Sequence, residues 1–343
     1  MARLPTLWRL AAVVAVFGAA EIFGSTIVNA YVLHLLVLTC IFSVLVMSHN
    51  LVTGYVGLFH LCHAAFFGIG AYVSALLAIH LNLPVPLTFL LGAIGAAISG
   101  LAVGLLSVRL GGHYFAIVSL GLGVIVYQIL NNWVDLTAGP IGLSGIPLPP
   151  EIPWFGESIA WTPHVFLAVG MTFVLLTYVI CTRIQDSKVG LIMKAIRENE
   201  LAAACVGIHT DRVKVVAFTI AAFLAGAAGG MYAHYTRMLV PEQFSFIASA
   251  ELVAMTVLGG LGSFGGSIAS ATFFTIVPEM LRVAGQWRLE VFGALLVIVV
   301  LFFPRGMAGL GALFWAGIVR LLGRFGAGNV AKLGADRGAA TSL

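Results

Sequence analysis

The sequence predicts an all-α integral membrane protein, a polytopic helical bundle of eight to ten spans with at least one glycine-broken or re-entrant segment. Three observations predict it. Hydrophobic residues make up 61% of the chain, charged residues 9%, and the mean hydropathy is +1.08, whereas soluble domains average roughly half apolar and about a quarter charged. Apolar runs of about 20 residues follow one another, each long enough to cross a bilayer. The charges gather in a few short stretches, above all Ser187 to Lys214. A pI near 9.0 invites a nucleic-acid reading. The basic residues flank apolar runs, however, where retention on the cytoplasmic side accounts for them without a polyanion.

The first apolar run, about Leu7 to Val28, follows Arg3 and Arg9 and contains Gly18-Ala19-Ala20, a stretch a signal peptidase could accept; a retained helix is the expectation. Further spans are expected at about Ala30 to Ser48, Leu61 to Leu81, Pro86 to Val108, Tyr114 to Trp133, Pro163 to Thr182 and Val215 to Tyr235, with the last near Leu289 to Pro304. Residues 1–310 read as one membrane domain, and 311–343 as a cytoplasmic, partly disordered tail. Cys40, Cys62, Cys181 and Cys205 lack CxxC spacing and read as apolar filler, which leaves no metal or redox role.

Orientation follows from two hydrophilic loops. Val134 to Thr162 contains no Lys or Arg, whereas Arg183 to Lys214 carries Arg183, Lys188, Lys194, Arg197, Arg212 and Lys214. Basic residues resist translocation, so the second loop is cytoplasmic and the first lies outside. After Pro241 the regular count breaks: ELVAMTVLGG is too short to span, and five glycines fall between Gly259 and Gly266. A re-entrant turn keeps the basic tail after Arg305 in the cytoplasm. Irregular backbone is tolerated at membrane depth only where protein or a water-filled cavity surrounds it, so the break marks a candidate path.

A second glycine-punctuated stretch, NLVTGYVGLFHLCHAAFFGIGAY from Asn50 to Tyr72, brings polar side chains to the membrane. Paired interruptions of this kind are the trace of duplicated transporter folds. Asn50, Tyr55, His60, His63, Tyr114, Gly262 and Gly265 are therefore the candidate pathway residues. Close helix packing explains the glycines equally well, and a packed histidine is a commoner finding than a proton relay.

Within Ser187 to Lys214, the residues Ile192, Ala195, Ile196, Leu201, Ala202 and Cys205 recur at roughly helical spacing, with Lys194, Arg197, Glu198 and Glu200 on the other face. The pattern predicts a short surface helix ended by Gly207. A retention loop needs no apolar stripe, so the stripe asks for a partner.

AIRENELAAACVGI resembles the coupling loop of bacterial ATP-binding-cassette importer permeases, with Ala202, Ala203 and Gly207 on the Glu-Ala-Ala-x-x-x-Gly pattern and Glu200 one residue early. NLVTGYVGLFHLCHAAFFGIGAY, LTAGPIGLSGIP, KVVAFTIAAFLAGAAGGMYAH, VLGGLGSFGG and PRGMAGL resemble one family within that class, the permease subunits of leucine, isoleucine and valine importers. The similarity runs from about Leu45 to Leu310. Where the family usually has Ser-Leu-Gly-His, this chain has His60-Leu61-Cys62-His63. The resemblance implies a pathway shared with a second permease subunit, a periplasmic solute-binding protein, and two cytoplasmic ATPase subunits that use ATP. The chain has no GxxxxGK[ST] and binds no cofactor directly. It also implies a bacterial inner-membrane location and a cytoplasmic coupling helix. There Arg197, Glu198 and Glu200 orient the helix in an ATPase groove, and Ala202, Ala203 and Gly207 permit close docking. The outer loop Leu136 to Pro150 is where a delivery protein would dock.

Related permeases carry urea, short amides or aromatic acids, so the solute is open between these and branched-chain amino acids. A proton-coupled secondary transporter is the rival from another class, with His60 and His63 as its paired titratable groups. No HExxH or GxSxG supports an intramembrane enzyme, and no ring of charge marks a channel.

Overall fold

The structure, a computed structural model, describes residues 30–109, 112–149, 152–154, 157–159 and 161–281, with the isolated positions 287, 293, 294, 297 and 307. The runs expected at Leu7 to Val28 and Leu289 to Pro304, and the tail 311–343, lie outside the described residues or reach only isolated ones. Among the described residues six helices are long and apolar enough to cross a membrane: Ala30–Val56, His63–His80, Val85–Leu106, Tyr114–Asn132, Pro163–Gln185 and Thr210–Thr236. The chain is thus an all-α membrane protein at the level of architecture, with six candidate spans among the described residues; two further expected runs, Leu7 to Val28 and Leu289 to Pro304, fall beyond these.

In chain order the main helices are α1 (Ala30–Asn50), α2 (His63–His80), α3 (Val85–Arg109) and α4 (Gly112–Asn132). A π-helical turn, Leu51–Val56, extends α1. A short helix, α5 (Val134–Thr137), precedes α6 (Pro163–Gln185), and the fold adds two small antiparallel ribbons not expected from the sequence. One ribbon joins β1 (Leu143–Ser144) to β4 (Met238–Leu239), and the other joins β2 (Ile152–Trp154) to β3 (Glu157–Ile159). Two surface helices, α7 (Lys188–Glu198) and α8 (Glu200–Cys205), precede the long α9 (Thr210–Thr236). The last elements are the half-length α10 (Phe246–Gly259) and α11 (Phe264–Met280).

α9 is the axis of the bundle, packed along α3 and α2. Small residues permit this approach: a Cβ on Gly70 would enter the backbone of Gly226, and one on Gly104 would meet the Val215 backbone at 2.9 Å. Lipid is as apolar as leucine, so close backbone packing of this sort, more than hydrophobic burial, holds membrane helices together. At 27 residues, α9 is about 40 Å long. Its first turn meets α7 and α8, and its end meets β4, so the charged helices and the ribbon lie at opposite ends of the bundle.

The ribbon end is tied down by His234. Its Nδ1 pairs with the Pro147 carbonyl at 2.8 Å, and its Nε2 lies 3.1 Å from the Ser74 hydroxyl and 3.3 Å from that of Thr88. Thr137 Oγ1 donates to the Leu130 carbonyl at 2.7 Å. The proline-rich loop is therefore held on the bundle end by His234 of α9, itself fixed by Ser74 of α2 and Thr88 of α3, while Thr137 of α5 bonds the α4 backbone.

Candidate functional site

The charged stretch forms two helices where the sequence pattern suggests one. Ser187 caps α7 by accepting the Gly190 N–H. Asn199 then takes an extended conformation (φ −159°, ψ 105°), ends α7, and caps α8 by accepting the Ala202 N–H at 3.0 Å. Asparagine suits such an elbow because its side chain replaces the missing helical acceptor. Gly207 ends α8 at φ +86°. The N–H of Ile208 reaches the Ala203 carbonyl at 3.2 Å, and that of Gly207 reaches Ala204 at 3.0 Å. This pair of bonds satisfies carbonyls left open by the helix end and needs a left-handed residue where Gly207 stands.

The burial of α7 and α8 redraws the expected apolar stripe. Met193, Ile196 and Ala203 face the bundle, whereas Leu191 (72% exposed), Leu201 (80%) and Val206 (77%) face outward. Of the residues assigned to coupling, Arg197, Glu198, Ala202 and Gly207 are on the surface. Ala203 is buried, Glu200 pairs with the Lys214 ammonium, and the exposed Arg197 extends its guanidinium to the bundle. Lys214 is itself buried at the start of α9, so the pair offsets the desolvation of a charge the sequence assigns to a plain helix entry.

Arg197 leads to the centre of the site. Its Nη1 donates to the Gly54 carbonyl at 2.5 Å, in the π-helical turn. Lys194 lies 5.5 Å from the centre of the Tyr55 ring in the same turn, within cation–π range. Tyr55 stacks on Phe264 and donates its hydroxyl to the Gly262 carbonyl at 2.8 Å. Asn50 Oδ1 accepts the Gly262 N–H at 2.9 Å. The Asn50 amide NH2 contacts Ser267 Oγ at 2.8 Å and the carbonyls of Gly260 and Ser263, each at 3.2 Å. The two glycine-rich interruptions are one joint, clamped by Asn50 and Tyr55 and touched from outside by Arg197.

The joint exists because α10 stops short. Fourteen residues span about 21 Å, less than the roughly 30 Å of a hydrocarbon core. Gly260 (φ +99°) and Gly262 (φ +82°) turn the chain back, and Ser263 caps α11 by accepting the Gly266 N–H at 3.2 Å. Gly259 packs on α11, where a Cβ would meet the Gly266 carbonyl and the Ser270 hydroxyl at 2.7 Å. Helix ends buried in this way need partners for their open backbone groups, and Asn50 supplies them.

His60 and His63 meet a third histidine, His49, which the sequence reading missed because it sits inside an apolar run. All three are fully buried, with ring centres 4.5 to 5.4 Å apart. His49 pairs with Thr256 of α10 at 2.9 Å, His60 with His63 at 3.3 Å, and His63 with Ser48 at 2.9 Å. Hydroxyls and carbonyls satisfy the rings, and no group of three His, Cys, Asp or Glu among the described residues is placed to hold a metal ion. The cluster ties α10 to α1 and α2, next to the joint. Tyr114, by contrast, is 74% exposed on α4, away from it. Gly265 faces open space.

This arrangement, a broken half-helix held by two glycine-rich turns with a charged helix pair docked beneath, can be set beside known proteins. Residues 31–304 match the family described as branched-chain amino acid transport system / permease component. The chain is 33% identical over 289 residues to the high-affinity branched-chain amino acid transport system permease protein LivM of Escherichia coli (strain K12), covering 79% of this chain and 68% of that protein. The permease protein LivH of the corresponding Salmonella typhimurium system is 26% identical, covering 78% of this chain and 91% of LivH. The autoinducer 2 import system permease protein LsrC of Photorhabdus luminescens is 25% identical, covering 65% of this chain and 66% of LsrC. No solved structure matches the chain. The match across nearly all of the described helices, together with the LivM identity, places the chain in the branched-chain amino acid transport permease family.

Proposed function

We infer that the chain is one of two permease subunits of an ATP-driven importer of branched-chain amino acids in the bacterial inner membrane. A periplasmic binding protein delivers the solute and two cytoplasmic ATPase subunits drive the cycle. The LivM and LivH relatives support the second permease. The absence of GxxxxGK[ST] from the sequence supports a separate motor, with ATP bound by the partners. The basic loop Arg183 to Lys214 supports a cytoplasmic position for α7 and α8, and the loop without Lys or Arg supports a periplasmic one for Val134 to Thr162.

The observation that carries the reading is the two-sided build of α7 and α8. Their outer face presents Leu191, Leu201 and Val206, suited to an apolar groove on an ATPase. Their inner face touches the broken-helix joint through Arg197 and Lys194. A load applied to the outer face therefore meets the glycine-rich joint directly. Residues 1–310 act as a single membrane domain in this scheme.

The test is reconstitution of the chain with its neighbouring permease, ATPases and binding protein. Leucine should stimulate ATP hydrolysis, and Leu201→Glu, which leaves the inner face untouched, should abolish ATPase co-purification and uptake together. Retention of both by Leu201→Glu would remove the coupling assignment.

A further inference from the structure

A cavity of about 650 Å3 lies along α10, walled by α1, α2, α4 and the turn Pro241–Phe244. That volume falls in the range of small-molecule sites, roughly 300–1,000 Å3. Leu45, Phe67, Leu252 and Met255 give it an apolar wall, and no Lys, Arg or His lines it. Two carboxylates do: Glu242, in the turn before α10, and Glu251, in the middle of the otherwise uncharged FIASAELVAMTVLG. Glu251 is exposed and has no ion-pair partner among the described residues. A carboxylate on an apolar half-helix at membrane depth is costly against lipid, which points to a watered path or a partner facing it. Tyr127, Gln128 and Gln243 add hydrogen-bond donors to the same cavity.

We propose that this cavity is a transit subsite for a zwitterionic aliphatic amino acid, with Glu251 receiving the ammonium group and Leu45, Phe67, Leu252 and Met255 the alkyl side chain. Tyr127, Gln128 and Gln243 donate to the solute carboxylate. The sign of the charge decides the solute class: an anionic acid would meet a carboxylate with no cation beside it, and urea or a short amide would leave the apolar wall without a partner. α10 carries this subsite along its length and ends at the Asn50 joint, so a shift of the joint moves the subsite with it. The assignment rests on the importer reading above.

The test uses the full importer complex in lipid nanodiscs with Ala248→Cys, which lies one helical turn before Glu251 and lines the same cavity. The exposed natural Cys205 is replaced by Ser. An ammonium-bearing methanethiosulfonate should label Ala248→Cys about fivefold or more faster than a sulfonate-bearing one, as a local carboxylate field requires. Glu251→Gln should lower that preference by about half or more, Glu242 still lining the cavity, and leucine with the binding protein should slow labelling about threefold. In the natural background, Glu251→Gln should lower leucine uptake about tenfold with all subunits still co-purifying, while Glu251→Asp keeps at least about a third. Absence of labelling, a charge preference unchanged by Glu251→Gln, no protection by leucine in a complex that imports it, or normal uptake by Glu251→Gln each overturns the subsite. Loss of the second permease from the Glu251→Gln complex also overturns it, because the carboxylate is then an interface anchor. If the unaltered complex imports no leucine while the Glu251-dependent preference persists, the branched-chain reading fails and the cation-receiving cavity stands.

Discussion

The Asn50 side-chain oxygen accepts the backbone N–H of Gly262 at 2.9 Å, joining two interruptions that are 212 residues apart in the chain. Its amide NH2 is directed at the same turn, toward Gly260, Ser263 and Ser267. Asn50→Asp keeps the acceptor and turns the donor into a second oxygen facing two carbonyls. A buried polar group left without its partner costs about 1–3 kcal/mol, more when charged. Asn50→Asp should therefore lower the thermal midpoint in detergent more than Asn50→Ala, and both should reduce leucine uptake. Equal midpoints for the two variants would mean that the amide donors do not hold the turn.

The glycines of the break are not equivalent. Gly262 has φ +82°, a conformation that side chains with a Cβ rarely adopt, whereas a Cβ on Gly265 meets nothing within 4 Å. Gly265→Leu should insert, assemble and transport nearly as the natural chain does. Gly262→Leu should lose most uptake, and Gly262→Asn, which tolerates the left-handed region, should lose less. Uptake assays on the two single leucine variants separate the positions. An equal loss from both would contradict the open space at Gly265.

The spans were legible because each is a run of apolar residues of bilayer length, and the departures have local causes. α9 begins at Thr210, five residues before the expected Val215, because Lys214 can enter the bundle when Glu200 neutralises it. The first span runs past Ser48 because the π-helical turn continues it to Val56. Asn50, Tyr55 and Gly262 were legible as a set by residue type at glycine-rich interruptions, but their mutual contact was not, since no pattern within either stretch encodes a partner 200 residues away. His49 and Thr256 were missed because each sits at an ordinary buried position in an apolar helix. The inward turn of Arg197 and the burial of Ala203 depend on the Asn199 elbow, which changes the helical phase between α7 and α8.

The histidine cluster is where ATP-driven and proton-driven transport make different predictions. Its rings are satisfied by Ser48, Thr53, Thr256 and one another, all buried. A structural cluster of this kind stabilises packing without needing to gain or lose a proton. Leucine uptake into vesicles loaded with ATP should persist when a protonophore collapses the proton gradient. His63→Gln, which retains hydrogen-bonding capacity, should keep more uptake than His63→Leu. Abolition of uptake by the protonophore at constant internal ATP would favour the proton-coupled mechanism.

Arg197 and Leu201 lie four residues apart yet face opposite ways, and this separates docking from transmission. Arg197 reaches the Gly54 carbonyl in the π-helical turn, while Leu201 is 80% exposed on the outer face. The Gly54 carbonyl belongs to a turn whose backbone is not in the regular α-helical ladder, so a charged donor there stabilises it by about 1.5–3 kcal/mol. Arg197→Ala removes this donor and leaves Leu191, Leu201 and Val206 in place. The complex carrying Arg197→Ala should keep its ATPases and their basal hydrolysis, but lose most leucine uptake and the stimulation of hydrolysis by loaded binding protein. Arg197→Lys should recover part of both, since an ammonium can still donate to one carbonyl. Loss of the ATPases from the Arg197→Ala complex would show that the arginine acts at the docking face, and normal uptake would show that the bond to Gly54 carries no motion into the joint.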